Sequence, residues 1–112
     1  MVMDTFGCTP GFVEEHPEAA RALADSYFEA LEMIGREQEK AYGIMGADVN
    51  QTAEQFAALA KYLRWQDREA NRAFFDGEIQ AFSEKAADLL LELGIIKSIP
   101  DLSKLADTRF LQ

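Results

Sequence analysis

Apolar residues recur at intervals of three and four positions in three stretches of the chain, and this spacing places them on one face of a helix. The stretches cover residues 17–34, 52–63 and 78–93. The predicted core-facing residues are Ala20, Leu23, Ala24, Tyr27, Leu31 and Ile34 in the first; Phe56, Leu59, Ala60 and Leu63 in the second; and Ile79, Phe82, Ala86, Leu89, Leu90 and Leu93 in the third. We expect these three faces to meet in one core.

Residues that begin or end helices divide the chain in a consistent way. Thr52 and Gln55 have the spacing of a capping box, and Asp67 can cap a following helix through its carboxylate. The predicted helices span residues 17–34, 37–45, 52–63, 67–75 and 78–93, with breaks at Gly35, Gly46, Asp76-Gly77 and Gly94. Pro10 is predicted to lie in a Thr-Pro-Gly turn within a loop over residues 1–11.

Composition agrees with this pattern. Ala, Leu and Glu account for 40 of the 112 residues, whereas the β-branched residues Val, Ile and Thr account for only 13. This balance favours helices over strands. We therefore predict an all-α fold, a compact bundle of about five helices that forms a single domain over residues 1–112.

The charge of the chain limits its partners. The formal net charge is -9, which disfavours nucleic acid because no excess of basic residues is present to bind phosphates. Membrane insertion is not expected, because no run approaches the ~20 apolar residues that span a bilayer. Residues 1–8 show neither a basic nor an apolar segment of the kind found in a secretory signal, and the single cysteine, Cys8, allows no internal disulfide.

Residues capable of catalysis are scarce. One histidine and one cysteine cannot build a His/Cys metal cluster, and no glycine-rich phosphate loop is present. Cys8 and His16 could form a nucleophile and its base, but a helix-capping His16 and an incidental Cys8 are the favoured interpretation. A calcium loop beginning at Asp48 is rejected, because Ala53 stands where such a loop needs glycine. We expect no enzymatic activity, no metal and no cofactor.

Trp65 is the one candidate ligand-binding residue. It follows Arg64 at the end of a predicted helix, where an amphipathic aromatic side chain either packs against the protein or stacks on a ligand. The sequence leaves both roles open, with packing favoured.

A series of motifs in a fixed order resembles a known family. The motifs are Phe12-Val-Glu-Glu-His-Pro-Glu-Ala-Ala-Arg21, Asp67-Arg-Glu-Ala-Asn71, Phe74-Phe-Asp76, Ala86-Ala-Asp-Leu-Leu-Leu-Glu-Leu-Gly-Ile-Ile-Lys97 and Pro100-Asp-Leu-Ser-Lys-Leu-Ala-Asp-Thr-Arg-Phe-Leu111. Their order is similar to the C-terminal part of the periplasmic substrate-binding proteins of nitrate, sulfonate, taurine and bicarbonate ABC transporters, a group that includes thiamine-pyrimidine binding relatives. The chain departs from that pattern at His16, where Asn is usual, and at Arg36-Glu-Gln-Glu39, where an Asn-Pro break is common.

The resemblance implies a role in solute import without chemistry. It implies a periplasmic or extracytoplasmic protein of two α/β lobes that closes over a small anion or heterocycle and delivers it to a permease, with this chain resembling the last third. Its partners would be the rest of the binding protein and the ABC permease. The resemblance also covers a thiamine-pyrimidine synthase branch, but the histidine site and cysteine-rich motif of that branch are not visible here.

A second class of function is also consistent with the sequence. The chain could be a stand-alone helical module whose apolar faces pair with another subunit. If the chain is the helical layer of such a lobe, we expect it to form a homodimer or higher oligomer when isolated, because helices without their sheet would leave apolar surface uncovered. A compact monomer would favour the self-sufficient module.

Overall fold

The computed structural model describes residues 3–112, and every regular element in that range is helical, as the sequence predicts. Residues 1 and 2, part of the predicted N-terminal loop, lie outside the described residues. The elements are α1 (Pro10–Glu15), α2 (Pro17–Arg36), α3 (Gln38–Asp48), α4 (Ala53–Ala60), α5 (Arg68–Ala73), a π-helical turn (Phe74–Glu78), α6 (Ile79–Glu92) and a 3-10 turn (Leu102–Lys104).

The contacts of the chain group into two compact units. Unit 1 covers Met1–Trp65 and unit 2 covers Gln66–Gln112. Each unit contains helices that the sequence predicts, and each has its own set of packed side chains. The single-domain organisation over residues 1–112 stays a prediction.

In unit 1, α3 is the central element, because it contacts both α2 and α4, while α1 contacts α2. Ala20 and Phe28 of α2 and Tyr42 of α3 are buried. The ring of Tyr42 packs against that of Phe56 in α4, with ring centres 5.4 Å apart.

The predicted faces are only partly buried: Ala20 and Ala60 are buried as expected. Leu23, Leu59 and Leu63, which are also predicted to face the core, are 42%, 51% and 48% exposed, because the core lies nearer to α3.

Gly46 does not end α3, contrary to the sequence prediction, because the helix continues to Asp48. The residue is buried, and a Cβ atom placed on it would lie 2.8 Å from the main-chain oxygen of Gln51. The turn after α3 therefore folds directly against this position, and the Gln51 amide donates a 2.8 Å hydrogen bond to the Gly46 carbonyl. Close approach of two backbone segments explains the glycine here.

The predicted caps are confirmed. Thr52 and Gln55 form a reciprocal capping box at the start of α4, with hydrogen bonds of 3.2 Å and 2.9 Å between side chain and backbone. Asp67 caps α5 by accepting a 2.8 Å hydrogen bond from the Ala70 amide. The break at Asp76-Gly77 is also present, as non-helical backbone inside the π-helical turn, with φ of +109° at Gly77.

Gly94 ends α6 as predicted. It adopts a left-handed φ of +69°, which glycine tolerates without the steric cost that a Cβ would bring. Its amide donates to the Leu91 carbonyl, and the Ile95 amide donates to the Leu90 carbonyl. These two bonds are those of a Schellman motif, which satisfies carbonyls that the end of a helix leaves unpaired.

The predicted buried face of α6 is largely wrong. Leu89, Phe82 and Leu93 are 54%, 50% and 62% exposed, whereas the buried residue of this helix is Ala87, at 5%. The burial is centred on the side of α6 that carries Ile79, Ser83 and Ala87. Helical periodicity identifies an apolar side, but the neighbouring segments of unit 2 cover a side that is rotated from it toward Ser83 and Ala87.

The start of the chain also differs from the prediction. Pro10 lies at the first position of α1, capped by the hydroxyl of Thr9, which accepts a 3.3 Å hydrogen bond from the Phe12 amide. Proline suits this position because its fixed φ is helical and its missing N–H would have no partner there. The predicted loop therefore ends at residue 9.

Candidate functional site

Trp65 lies in the non-helical segment between α4 and α5, five residues after α4 ends at Ala60. The helix predicted over residues 52–63 therefore ends three residues earlier than expected. The amides of Tyr62 and Leu63 bond to the carbonyls of Leu59 and Ala60, which turns the chain out of the helix. Trp65 follows this turn and is 38% exposed.

Several apolar side chains near Trp65 in sequence are exposed as well. Tyr62 is 88% exposed, and Leu59 and Leu63 are about half exposed. The end of α4 therefore carries an aromatic and aliphatic surface. An indole in this position can stack on a flat ligand or pack against a protein surface, so both roles predicted for Trp65 remain compatible with its exposure.

An open surface depression of about 670 Å³ lies where α2 meets α3. It is lined by Arg36, Glu37, Gln38, Glu39, Lys40 and Ala53, and so does not include Trp65. The Lys40 ammonium lies 3.1 Å from the Glu37 carboxylate, and both side chains are more than half exposed. Two basic and two acidic side chains balance one another here, which gives an anion little net attraction.

Cys8 and His16 flank α1 within unit 1. Cys8 is exposed and precedes the cap of the helix. The imidazole of His16 packs against the ring of Phe12, with ring centres 5.5 Å apart. His16 occupies the N-cap position of α2 but makes no side-chain capping bond; only its carbonyl accepts, from the amides of Ala19 and Ala20. His16 therefore lies at a helix cap as expected, at the end of α1 and the start of α2, and it caps both helices through its backbone.

The acidic residues do not assemble into a metal-binding group in the part of the chain that the structure describes. No three His, Cys, Asp or Glu side chains between residues 3 and 112 are grouped as metal ligands. Within the same range, no helix combines the length and the apolarity needed to cross a bilayer.

The sequence did not predict how the C-terminal segment is held in unit 2. The Nε atom of Arg72 donates a 2.6 Å hydrogen bond to the Leu111 carbonyl, and Nη1 of Arg68 donates a 3.3 Å bond to the Gln112 carbonyl. The two arginines lie four residues apart on α5 and so share one helix face. That spacing was the available signal, but main-chain acceptors leave no trace in the sequence.

A carboxylate within the same segment is tied to an arginine. The guanidinium of Arg109 donates three hydrogen bonds to Asp107, with Nε at 2.9 Å and 3.0 Å and Nη2 at 2.5 Å from the carboxylate oxygens. These bonds lower the pKa of Asp107, because they stabilise its charged form. Hydrogen bonds from Ser103 lower the pKa of Asp101 in the same way. Both contacts order the tail locally.

Searches of the chain against protein-family models, curated proteins and solved structures found no significant match. The residues and their geometry are therefore the basis for the function proposed below.

Proposed function

We propose that this chain is the C-terminal helical part of a periplasmic solute-binding protein of an ABC importer, with no catalytic role. The solute would be a small anion such as nitrate, a sulfonate, taurine or bicarbonate. The proposal rests on the ordered motifs between Phe12 and Leu111 that resemble that family.

Two hydrogen bonds in unit 2 join the segments that carry two of these motifs. Arg68, in the motif that begins at Asp67, bonds to the carbonyl of Gln112, one residue after the last motif. Arg72, one residue after the Asp67–Asn71 motif, bonds to the carbonyl of Leu111, the last residue of the final motif. The segments that carry these two motifs, about forty residues apart in the sequence, thus lie against one another in unit 2.

The solute site itself is proposed to need the remainder of the binding protein. Ligand pockets enclose most of the surface of a small ligand, whereas Trp65 lies on an open surface and the depression at Arg36 to Lys40 is wide open. Trp65 is the residue of this chain that we propose for ligand contact.

An uptake experiment tests the transport role. Deleting the gene that encodes the chain should abolish uptake of one labelled solute among nitrate, taurine, alkanesulfonate and bicarbonate, and the restored gene should return it. Adjacent permease and ATPase genes would support the same role. Unchanged uptake of all four solutes would contradict the proposal.

Trp65 provides a direct binding assay, because it is the single tryptophan of the chain. Its fluorescence should not change when the isolated chain is titrated with any of these anions. Saturable quenching at micromolar anion would show that residues 1–112 form a working site by themselves. Calorimetric titration of Trp65→Phe, which needs no fluorophore, would then show whether binding depends on the indole.

The exposure of large apolar side chains favours a second candidate function. Phe82, Leu89 and Leu93 of α6 are half exposed or more. A stand-alone helical module that binds another protein through this surface is therefore the alternative, and normal uptake of all four solutes after gene deletion would favour it.

A further inference from the structure

Helix α6 carries an apolar strip that the rest of unit 2 leaves largely uncovered. We define the α6 strip as Phe82, Ala86, Leu89 and Leu93, which recur at intervals of four, three and four residues. Phe82, Leu89 and Leu93 expose half or more of their surface, and Ala86 is half-buried. This spacing is that of a seam between two paired helices.

The charges beside the strip indicate how such a pair would be oriented. Lys85 and Glu92 lie seven residues apart, two helical turns, along the same flank of the strip. The opposite flank carries Ser83 and Leu90, which are uncharged. One flank of α6 therefore bears a basic and an acidic position at a spacing that can be matched by its own copy.

We propose that the α6 strip is a self-association surface that pairs with α6 of a second copy of this chain, antiparallel and with two-fold symmetry. In the register that places Ala86 opposite Leu89 and Phe82 opposite Leu93, Lys85 lies opposite Glu92 of the second copy. The symmetry repeats each of these contacts, because a two-fold interface uses the same patch on both copies.

Other arrangements of the same two helices are less favourable. In a parallel pair, the flank position of Lys85 lies opposite the position of Leu90 of the second copy, so its charge would have no acidic partner. An antiparallel register shifted by seven residues, which places Phe82 opposite Ala86 of the second copy, would bring Lys85 beside Lys85 of that copy, and these like charges would repel. Charge complementarity thus selects one antiparallel register.

The surface fits a weak, reversible dimer. Three apolar positions on a helix of 14 residues and a fourth, Leu93, at its C-cap give a small interface compared with those of permanent complexes. The strip involves only unit 2, so the association does not depend on the proposed transport role. If the wild-type chain stays monomeric but still supports solute uptake, the self-association inference is overturned and the proposed transport role is not.

Charge reversal at the two flank positions tests the register. Sedimentation equilibrium over about a hundredfold range of concentration should show a monomer–dimer equilibrium for the wild-type chain. Lys85→Glu and Glu92→Lys should each weaken dimerisation about three- to tenfold, because each places two pairs of like charges face to face. The double variant Lys85→Glu/Glu92→Lys should restore it.

Two further variants distinguish association through the α6 strip from non-specific association. Leu89→Ser removes the central apolar contact on both copies and should abolish the dimer, with a circular dichroism spectrum that matches the wild type. Lys97→Glu makes the same charge change outside the strip and should leave the dimer unchanged. A monomer at every concentration, or a double variant as weak as the single variants, would overturn the proposal.

Discussion

The Nε atom of Arg72 lies 2.6 Å from the carbonyl oxygen of Leu111, a hydrogen bond that joins residues 39 positions apart. Most of the other side-chain hydrogen bonds described in this chain join residues within five positions of one another. The Arg72 bond, with that of Arg68 to Gln112, therefore attaches the C-terminal segment to α5.

Replacing Arg72 with Ala should release this segment. The loss of one charged, exposed hydrogen bond should cost about 1 kcal/mol of unfolding free energy and increase amide exchange at residues 108–112. Hydrogen exchange combined with a urea melt measures both effects. Lys97→Ala, which removes one positive charge from the same unit, is the control, and equal exchange in the two variants would contradict the prediction.

Thr52→Ala should destabilise the chain by about 1 kcal/mol, because it leaves the Gln55 amide without its cap. Thr52→Ser retains the hydroxyl and should stay close to the wild type. Urea melts followed by circular dichroism compare the three proteins. If Thr52→Ser and Thr52→Ala lower the free energy of unfolding equally, the prediction is contradicted, because the methyl group of Thr52 and not its hydroxyl then provides the stability.

Two glycines of α3 should respond to alanine in opposite ways. Gly43→Ala should stabilise by up to about 1 kcal/mol, because alanine favours helix and its Cβ would meet only the Ala53 Cβ, at 3.9 Å. Gly46→Ala should destabilise by about 1–3 kcal/mol, because its Cβ would lie 2.8 Å from the Gln51 carbonyl oxygen. Thermal melts of both variants give the sign of each change, and a stabilised Gly46→Ala would contradict the close approach.

Truncations in the two units should differ according to burial. Phe28→Ala should lower the free energy of unfolding by about 3–5 kcal/mol, because the Phe28 side chain is only 8% exposed. Leu89→Ala should cost less than about 1 kcal/mol in dilute solution, since the side chain is 54% exposed. Urea denaturation of both variants checks this, and a large loss at Leu89 under dilute conditions would place that side chain in a core.

The Asp107–Arg109 contact should contribute stability that depends on pH. Because folding lowers the pKa of Asp107, its contribution is present above the ordinary aspartate pKa and is lost as the pH falls through the lowered value. Asp107→Asn should therefore destabilise the tail at neutral pH and match the wild type well below about pH 4. Hydrogen exchange of residues 105–112 against pH measures the difference, with Asp48→Asn as a control for the lost charge.

Local features of this fold were predictable because their partners are close in sequence. The caps at Thr52 and Asp67 and the end of α6 at Gly94 depend on residues no more than four positions away. The all-α class follows from the same local preferences.

Long-range features required the tertiary structure. Gly46 resembles a helix terminator in sequence, but the backbone of Gln51 and Thr52 folds against it and the helix continues. Leu89 fits a buried face by periodicity, yet the covered side of α6 is centred on Ala87. The Arg72 bond to a main-chain carbonyl was invisible in the same way, because every residue carries such an acceptor. Apart from α1, which was predicted as a loop, the sequence by itself determined where the α-helices begin and what class of fold they make. Burial and the docking of the tail depend instead on which distant segment comes to lie against each residue.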